Sequence, residues 1–316
     1  NFFFHYDSFK VRLQHVDSLY IRYLTGKIDN YGFQATDDAN NLIEDITGDL
    51  YIDKPDNKSG RKSYPEYPIF KSLENSYVYY NRPDIQSGAY KNDNFYYMLY
   101  PFTMDSLDNF NRESMVFDGE LHAAGILPVI KEPLRLQPDK SLGFTFNTGP
   151  EGLPLYEGKG KYTQSIQLSN QGLRGQGRVD YLTASILSDN LMFYPDSMNA
   201  VAKEFTIVEK TTETEFPQVR SANNYIHWLP NKDELYAYKK DVSFSMFNDA
   251  GTLAGDLKLQ PTGLTGSGKM DLKNSDLQSD YFTYKSKEII ADTADFYLKS
   301  LHSEGFTVLT DNVKAR

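Results

Sequence analysis

Residues 172–205 of the chain recur 91 positions later as residues 263–296. Gly172, Leu173, Gly175, Gly177, Asp180, Ser188, Asp189, Ala200 and Phe205 return as Gly263, Leu264, Gly266, Gly268, Asp271, Ser279, Asp280, Ala291 and Phe296. Nine identities across 34 ungapped positions exceed chance several-fold. A match at fixed period marks repeated supersecondary units, each needing neighbours to cover its apolar face, before it marks a single catalytic site. Weaker matches carry the repeat backwards. Leu127-Pro128 aligns with Phe216-Pro217, Pro138 with Pro230, Leu142 with Leu235 and Gly160 with Gly251, small insertions absorbing the drift in offset. The expected organisation is an N-terminal β region over 1–125, separate or itself a diverged copy, then β repeats over 126–214 and 215–316.

Period-2 alternation sets the class. Phe9, Val11 and Leu13 alternate with Lys10 and Arg12, and Val242, Phe244 and Met246 alternate with serines. Ile166 and Leu168 in the first copy correspond to Leu257 and Leu259 in the second. Such spacing turns one face of a strand to a core and the other to water. The one helix candidate, 37–46, is short and rich in Asp and Asn. Twenty-four tyrosines and 20 phenylalanines favour strands with half-exposed faces. The expectation is an all-β chain whose repeated units, of about 90 residues, form an elongated β-solenoid or groove-like sheet, or else tandem β-sandwiches. In the second copy, 269–272, 280–284 and 294–298 read as successive short strands.

Charge and composition narrow the partners. A net charge of −10 argues against nucleic acid, which requires basic patches to neutralise phosphates. No run approaches the roughly 18–20 apolar residues of a membrane-spanning helix. The absence of cysteine excludes disulfides and thiolate metal ligands, and suits an exported protein. The chain opens at Asn1 on the strand-like run Phe2-Phe3-Phe4-His5-Tyr6 with no leader segment. It reads as a piece of a longer exported polypeptide, whose other domains are its first expected partners.

Local motifs yield little catalytic chemistry. Gly263–Lys269 has the G-x-x-x-x-G-K spacing of a phosphate loop. Met270 follows where a magnesium-binding Ser or Thr is needed, and the continuation alternates like a strand. The repeated pairs Ser188-Asp189 and Ser279-Asp280 suit turn hydrogen bonds better than a calcium ladder. The five histidines are far apart without zinc spacing. No catalytic, metal or cofactor residue is assigned, and a non-enzymatic role is expected. Trp228 reads as a core anchor, and Asn57-Lys58-Ser59 matches a glycosylation sequon in a loop. Candidate ligand contacts are the aromatic runs: Tyr77, Tyr79 and Tyr80, then Phe95, Tyr96, Tyr97 and Tyr100. Rings on an exposed face stack on sugars or partner proteins.

The stretch Leu264-Thr265-Gly266-Ser267-Gly268-Lys269-Met270-Asp271-Leu272, with Asp276-Leu277 after it, resembles the glycine-started strands of AsmA/TamB-like bacterial envelope proteins. The Asn- and Tyr-rich, cysteine-free composition is similar to that of large exported proteins of Bacteroidota. The resemblance covers about 160–300 and implies an elongated β groove or solenoid in the periplasm or at the cell surface. On this basis the expected role is a scaffold, or a surface for glycan or envelope-protein contacts. A groove carrying lipid or polysaccharide is the alternative, and a carbohydrate-active enzyme the third.

Overall fold

A computed structural model describes residues 1–28, 30–211, 214, 216–249, 251–278, 283–297, 308–310 and 313–315, with side chains as far as residue 268. The chain is all-β, and its described helices are three single 3-10 turns. It divides into two compact units: Asn1–Phe146 with Gln167–Leu173, and Asn147–Ile166 with Arg174–Arg316.

The first unit begins with β1 (Phe2–His5), β2 (Lys10–Leu19), β3 (Arg22–Ile28), β4 (Gln34–Asp38) and β5 (Ile43–Tyr51). It continues with β6 (Ile69–Ser72), β7 (Ser76–Tyr79), β8 (Phe95–Leu99), β9 (Thr103–Met104), β10 (Val116–Phe117), β11 (Gly119–Ala123), β12 (Leu134–Leu136) and β13 (Leu142–Asn147). The main sheet runs β1-β2-β5-β7-β8-β11, with β6 on β5 and β9 on β6. β3 and β4 form a separate hairpin. The proposed helix at 37–46 is therefore the end of β4 and the start of β5. Asp and Asn there serve the connection, and Ile43 and Ile46 face the core as strand residues.

Alternation along these strands fills the core from one side. Ile43, Ile46, Val78, Phe95, Tyr97, Leu99 and Leu121 are all buried. Tyr80, just beyond β7, joins them, its hydroxyl donating to the Leu142 carbonyl at 2.8 Å. Tyr97 donates likewise to the Glu132 carbonyl at 2.7 Å, so both polar tips are satisfied where water is excluded. Across the β2–β5 pair Arg12 stands opposite Asp49, whose nearly buried carboxylate takes hydrogen bonds from Arg12 and Lys10. The Arg12 bond, reinforced by Lys10, holds the Asp49 carboxyl below its ordinary value despite burial.

The second unit continues with β14 (Leu153–Leu155), β15 (Gly160–Ser169), β16 (Gly172–Tyr181), β17 (Ala184–Phe193), β18 (Met198–Ala202), β19 (Glu204–Ile207) and β20 (Val219–Ser221). Then come β21 (Asn224–Leu229), β22 (Glu234–Tyr238), β23 (Phe244–Met246), β24 (Gly251–Gln260), β25 (Gly263–Gln278), β26 (Thr283–Tyr297), β27 (Val308–Thr310) and β28 (Val313–Ala315). The sheet is antiparallel and forks after β17: β18, β21 and β22 follow one another on one path and β19, β20 and β23 on the other. Both paths pair with β24, beyond which β25, β26, β27 and β28 follow in order. The three short strands expected in the second copy are two long ones. β25 passes through 269–272 unbroken, β26 takes in 283–284 and 294–297, and the rest of those two expected strands falls outside the described residues.

Glycines mark where rings or backbone press on this sheet. Trp228 on β21 is fully buried, lies against Tyr156 and Tyr181, and would strike a Cβ at Gly160 on β15. The Tyr162 ring closes over Gly175. Gly177 has a φ of +157°, and a Cβ there would meet the Thr163 carbonyl oxygen at 2.1 Å. Gly268 has a φ of +133°, and its Cβ would meet the Ala254 carbonyl oxygen at 2.6 Å. These are glycine positions for steric reasons. The glycine run 263–268 accordingly lies inside β25, paired with β24, and opens no helix.

Candidate functional site

Strand alternation divides the seven aromatic candidates. Tyr80, Phe95 and Tyr97 are fully buried, and Phe95 stacks on Tyr90 at 4.2 Å. They belong to the core and offer no surface to a ligand, which corrects their assignment as contacts. Tyr77, Tyr79, Tyr96 and Tyr100 lie on the opposite, half-exposed face.

Cross-strand register assembles that face. On adjacent strands Glu44 is opposite Tyr77, Tyr77 opposite Met98, and Met98 opposite Glu120. One step along, Tyr79 is opposite Tyr96 and Tyr96 opposite His122. Directly opposed residues share a face, so these rows form one platform. Tyr77 and Tyr79 are near-parallel, 6.0 Å apart and inclined by 15°. Tyr96 meets Tyr77 edge-on at 5.7 Å and stacks on His122 at 4.8 Å.

Two carboxylates flank the rings in different electrostatic states. Glu120 accepts the Tyr100 hydroxyl at 2.9 Å, with His122 Nε2 at 3.1 Å and Lys131 Nζ at 3.6 Å. The Tyr100 bond, then His122 and Lys131, lower the Glu120 pKa, and the same bond raises that of Tyr100. Glu44 pairs with no side chain among the described residues, and burial followed by the nearby Asp45 charge raises its pKa. Strand order β5-β7-β8-β11 puts three interstrand steps between Glu44 and Glu120, or about 14 Å at ~4.8 Å per step. Paired glycosidase carboxyls stand within about 10 Å of one another. Glu44, Glu120 and His122 were not nominated from the sequence. Their only signal there was spacing, Glu120-x-His122 matching the Tyr77-x-Tyr79 alternation.

Other motifs resolve structurally. Ser188 Oγ donates to the Val201 carbonyl at 2.8 Å and accepts the Asn190 amide at 3.1 Å, while Asp189 pairs with Lys203. These residues edge a shallow cleft of about 440 Å³ where β17 and β18 part. Asp180 pairs with Arg178, and the side chains of Asp271 and Asp280 lie beyond those described. Asn57 is buried, its carboxamide bonded to Asp53 and to the Lys62 backbone at both ends, so the sequon is occupied internally. Among the described residues no three His, Asp or Glu side chains gather to hold a metal ion, and no helix is long and apolar enough to cross a membrane. Comparison with known proteins finds no matching family model, no matching characterised protein and no matching solved structure.

Proposed function

We propose that the protein is a non-enzymatic β module of a larger exported envelope or surface protein, and that it holds glycan chains on the tyrosine platform of its first unit. The observation that carries this reading is the shared half-exposed face of Tyr77, Tyr79, Tyr96 and His122, edged by Tyr100 and Glu120. Flat amphipathic rings bind the C–H face of a pyranose at little entropic cost, and fixed carboxylate and hydroxyl groups at the rim orient its hydroxyls. The carboxylate spacing speaks against glycoside hydrolysis at this face. A lipid conduit is less well supported, because Glu44, Glu120 and His122 interrupt any continuous apolar trough.

The finer architecture belongs to the same proposal. The repeat accounts for the two similar hairpins, β15–β16 and β24–β25, in which Gly172 and Gly263 follow two-residue turns and Gly177 and Gly268 share a positive φ. We read them as copies of one unit within a groove-like sheet. Envelope or surface location rests on the cysteine-free, Tyr-rich composition and on the resemblance to AsmA/TamB-like repeats.

A glycan array with the full chain tests the binding, followed by calorimetry with the best oligosaccharide. Tyr77→Ala/Tyr96→Ala should lose at least tenfold in affinity while retaining the wild-type melting profile within a few degrees. Wild-type protein that retains no glycan, or a double variant that binds as wild type does, would refute the assignment.

A further inference from the structure

The second unit presents a face of the same make-up that none of the aromatic runs singled out above includes. Across β18, β21, β22, β24 and β25, register aligns Asn199, His227, Tyr236, Lys258 and Thr265 in one row. The next row is Val201, Tyr225, Tyr238, Asp256 and Ser267. The alternate residues Ile226, Trp228, Leu235, Ala237, Leu257 and Leu259 are buried beneath, so the rows form the outer face of a one-sided sheet. Tyr225 is 48% exposed and Tyr238 37%, which leaves ring surface available to a ligand.

The chemistry parallels the first platform group by group. Tyr236 and Tyr238 are parallel within 4° at 6.0 Å, as Tyr77 and Tyr79 are near-parallel at 6.0 Å. His227 lies against Tyr236 at 6.4 Å, as His122 lies against Tyr96. Glu234 accepts the Tyr236 hydroxyl at 2.9 Å and pairs with Lys258 at 2.6 Å, as Glu120 takes Tyr100 and Lys131. Each platform thus combines paired tyrosines two residues apart, a histidine against a tyrosine of the neighbouring strand, and a carboxylate fixed by a tyrosine hydroxyl and a lysine. In the first platform the histidine and carboxylate lie two strands from the pair, whereas in the second both engage Tyr236 of the pair itself.

We propose that this face is a second binding platform for a neutral pyranose chain, so that one protein engages one polysaccharide at two sites. The ligand class rests on the function proposed above; the existence of the second site does not. Neutrality follows from charge. Glu234 is compensated by Lys258 within the face, and a protein of net charge −10 repels polyanions. A chain is favoured over a single sugar because the rings lie along two parallel rows on an open sheet and enclose no pocket for a monosaccharide. Two linked sites raise apparent affinity for a polymer by about 100-fold or more without new contacts.

The test uses the full chain in native gels containing glucomannan, xyloglucan or mixed-linkage β-glucan, with calorimetry on hexasaccharides of whichever polymer retards migration. Wild type should bind two hexasaccharides. Tyr236→Ala/Tyr238→Ala and Tyr77→Ala/Tyr79→Ala should each bind one, and each should lose polymer affinity by about 100-fold. Tyr225→Ser, at the most exposed ring of the rows, provides a milder variant if the double variant fails to fold. A single site abolished only by the Tyr77/Tyr79 change overturns the second platform and leaves the first standing. A single site abolished only by the Tyr236/Tyr238 change does the reverse. No retardation by any of the three polymers, or retention only of a protein partner on the same tyrosines, overturns the ligand class for both.

Discussion

The two units pack their rings alike and differ in how the polar tips of the largest buried rings are satisfied. In the first, large rings meet large rings: Tyr80 against Phe95, Phe95 against Tyr90, Tyr97 against Phe144. Their hydroxyls at Tyr80 and Tyr97 are tied to backbone carbonyls. In the second unit rings are set on glycines, Trp228 over Gly160 and Tyr162 over Gly175, and the Trp228 indole nitrogen and Tyr181 hydroxyl are buried with no hydrogen-bond partner among the described atoms. Glycines are packing devices in both units, since in the first Phe70 lies against Gly48 and Tyr97 against Gly119. Rings also meet rings in both, Tyr162 against Phe193 and Phe205 against Phe244 in the second. Glycines let a sheet bring backbone or an aromatic ring close to its inner face, and what sets the second unit apart is that two of its buried rings, Trp228 and Tyr181, carry polar tips without a partner.

Substitutions can break this contrast, and the largest effect should come at the ring with most to lose. Trp228→Ala removes a fully buried indole wedged between Tyr156, Tyr181 and Gly160, and should cost about 3–5 kcal/mol, read as a fall in urea midpoint. A loss under about 1 kcal/mol would show that the site collapses freely and that the ring-on-glycine account is wrong. Next in size is Gly177→Ala. Its Cβ would collide with the Thr163 carbonyl in a backbone region that side chains avoid, costing about 2 kcal/mol. Gly149→Ala, where nothing lies within 4 Å, should be nearly silent in the same titration.

A smaller pair of changes should differ in sign. Tyr80→Phe strips the Leu142 carbonyl of a buried donor and should destabilise by about 1 kcal/mol. Tyr181→Phe removes a buried hydroxyl that has no partner, and should leave stability unchanged or raise it. Burial, with the Asp233 and Glu234 charges adding to it, also pushes the Tyr181 pKa up to about 12. Equal losses for the two variants would mean that Tyr181 is hydrogen-bonded after all.

How far the fold was legible follows from these same residues. Alternation is a local property, so the all-β class and the buried role of Trp228 were readable. Which side of a strand faces the core is not local where both sides are apolar. In Tyr77-Val78-Tyr79-Tyr80 and in the run from Phe95 to Tyr100 either phase is plausible, and only pairing with β5 and β11 decides it. Hence the core rings Tyr80, Phe95 and Tyr97 carry the same local sequence signature as the surface ones. The segments Tyr225-Ile226-His227-Trp228 and Leu235-Tyr236-Ala237-Tyr238 alternate cleanly, and their outer tyrosines could have been found. What hid them was that the platform exists only through register between strands. Glu120 and His122 were invisible for the same reason, being joined to Tyr100 and Tyr96 across the sheet and not along the chain.

The smallest expected effect separates the two ends of the first platform by pH. Glu120 has a folded pKa held below its unfolded value by the Tyr100 bond, then by His122 and Lys131. Its contribution is therefore fully present above the unfolded glutamate pKa, about 4.3, and is lost as pH falls through the lower folded value. Glu44 runs the other way. Burial, and then Asp45, raise its folded pKa, so below the unfolded value both states are protonated and it contributes nothing. Above the folded value the fold carries an uncompensated charge and is weakened. Glu44→Gln should accordingly stabilise by a few tenths of a kcal/mol at pH 7 and have no effect near pH 3, whereas Glu120→Gln should destabilise at pH 7 and lose that penalty on acidification. Urea titrations at pH 3, 5 and 7 read both changes. If the Glu44→Gln gain is absent at pH 7, Glu44 has a charge partner on the platform and the electrostatic asymmetry between its two carboxylates does not hold.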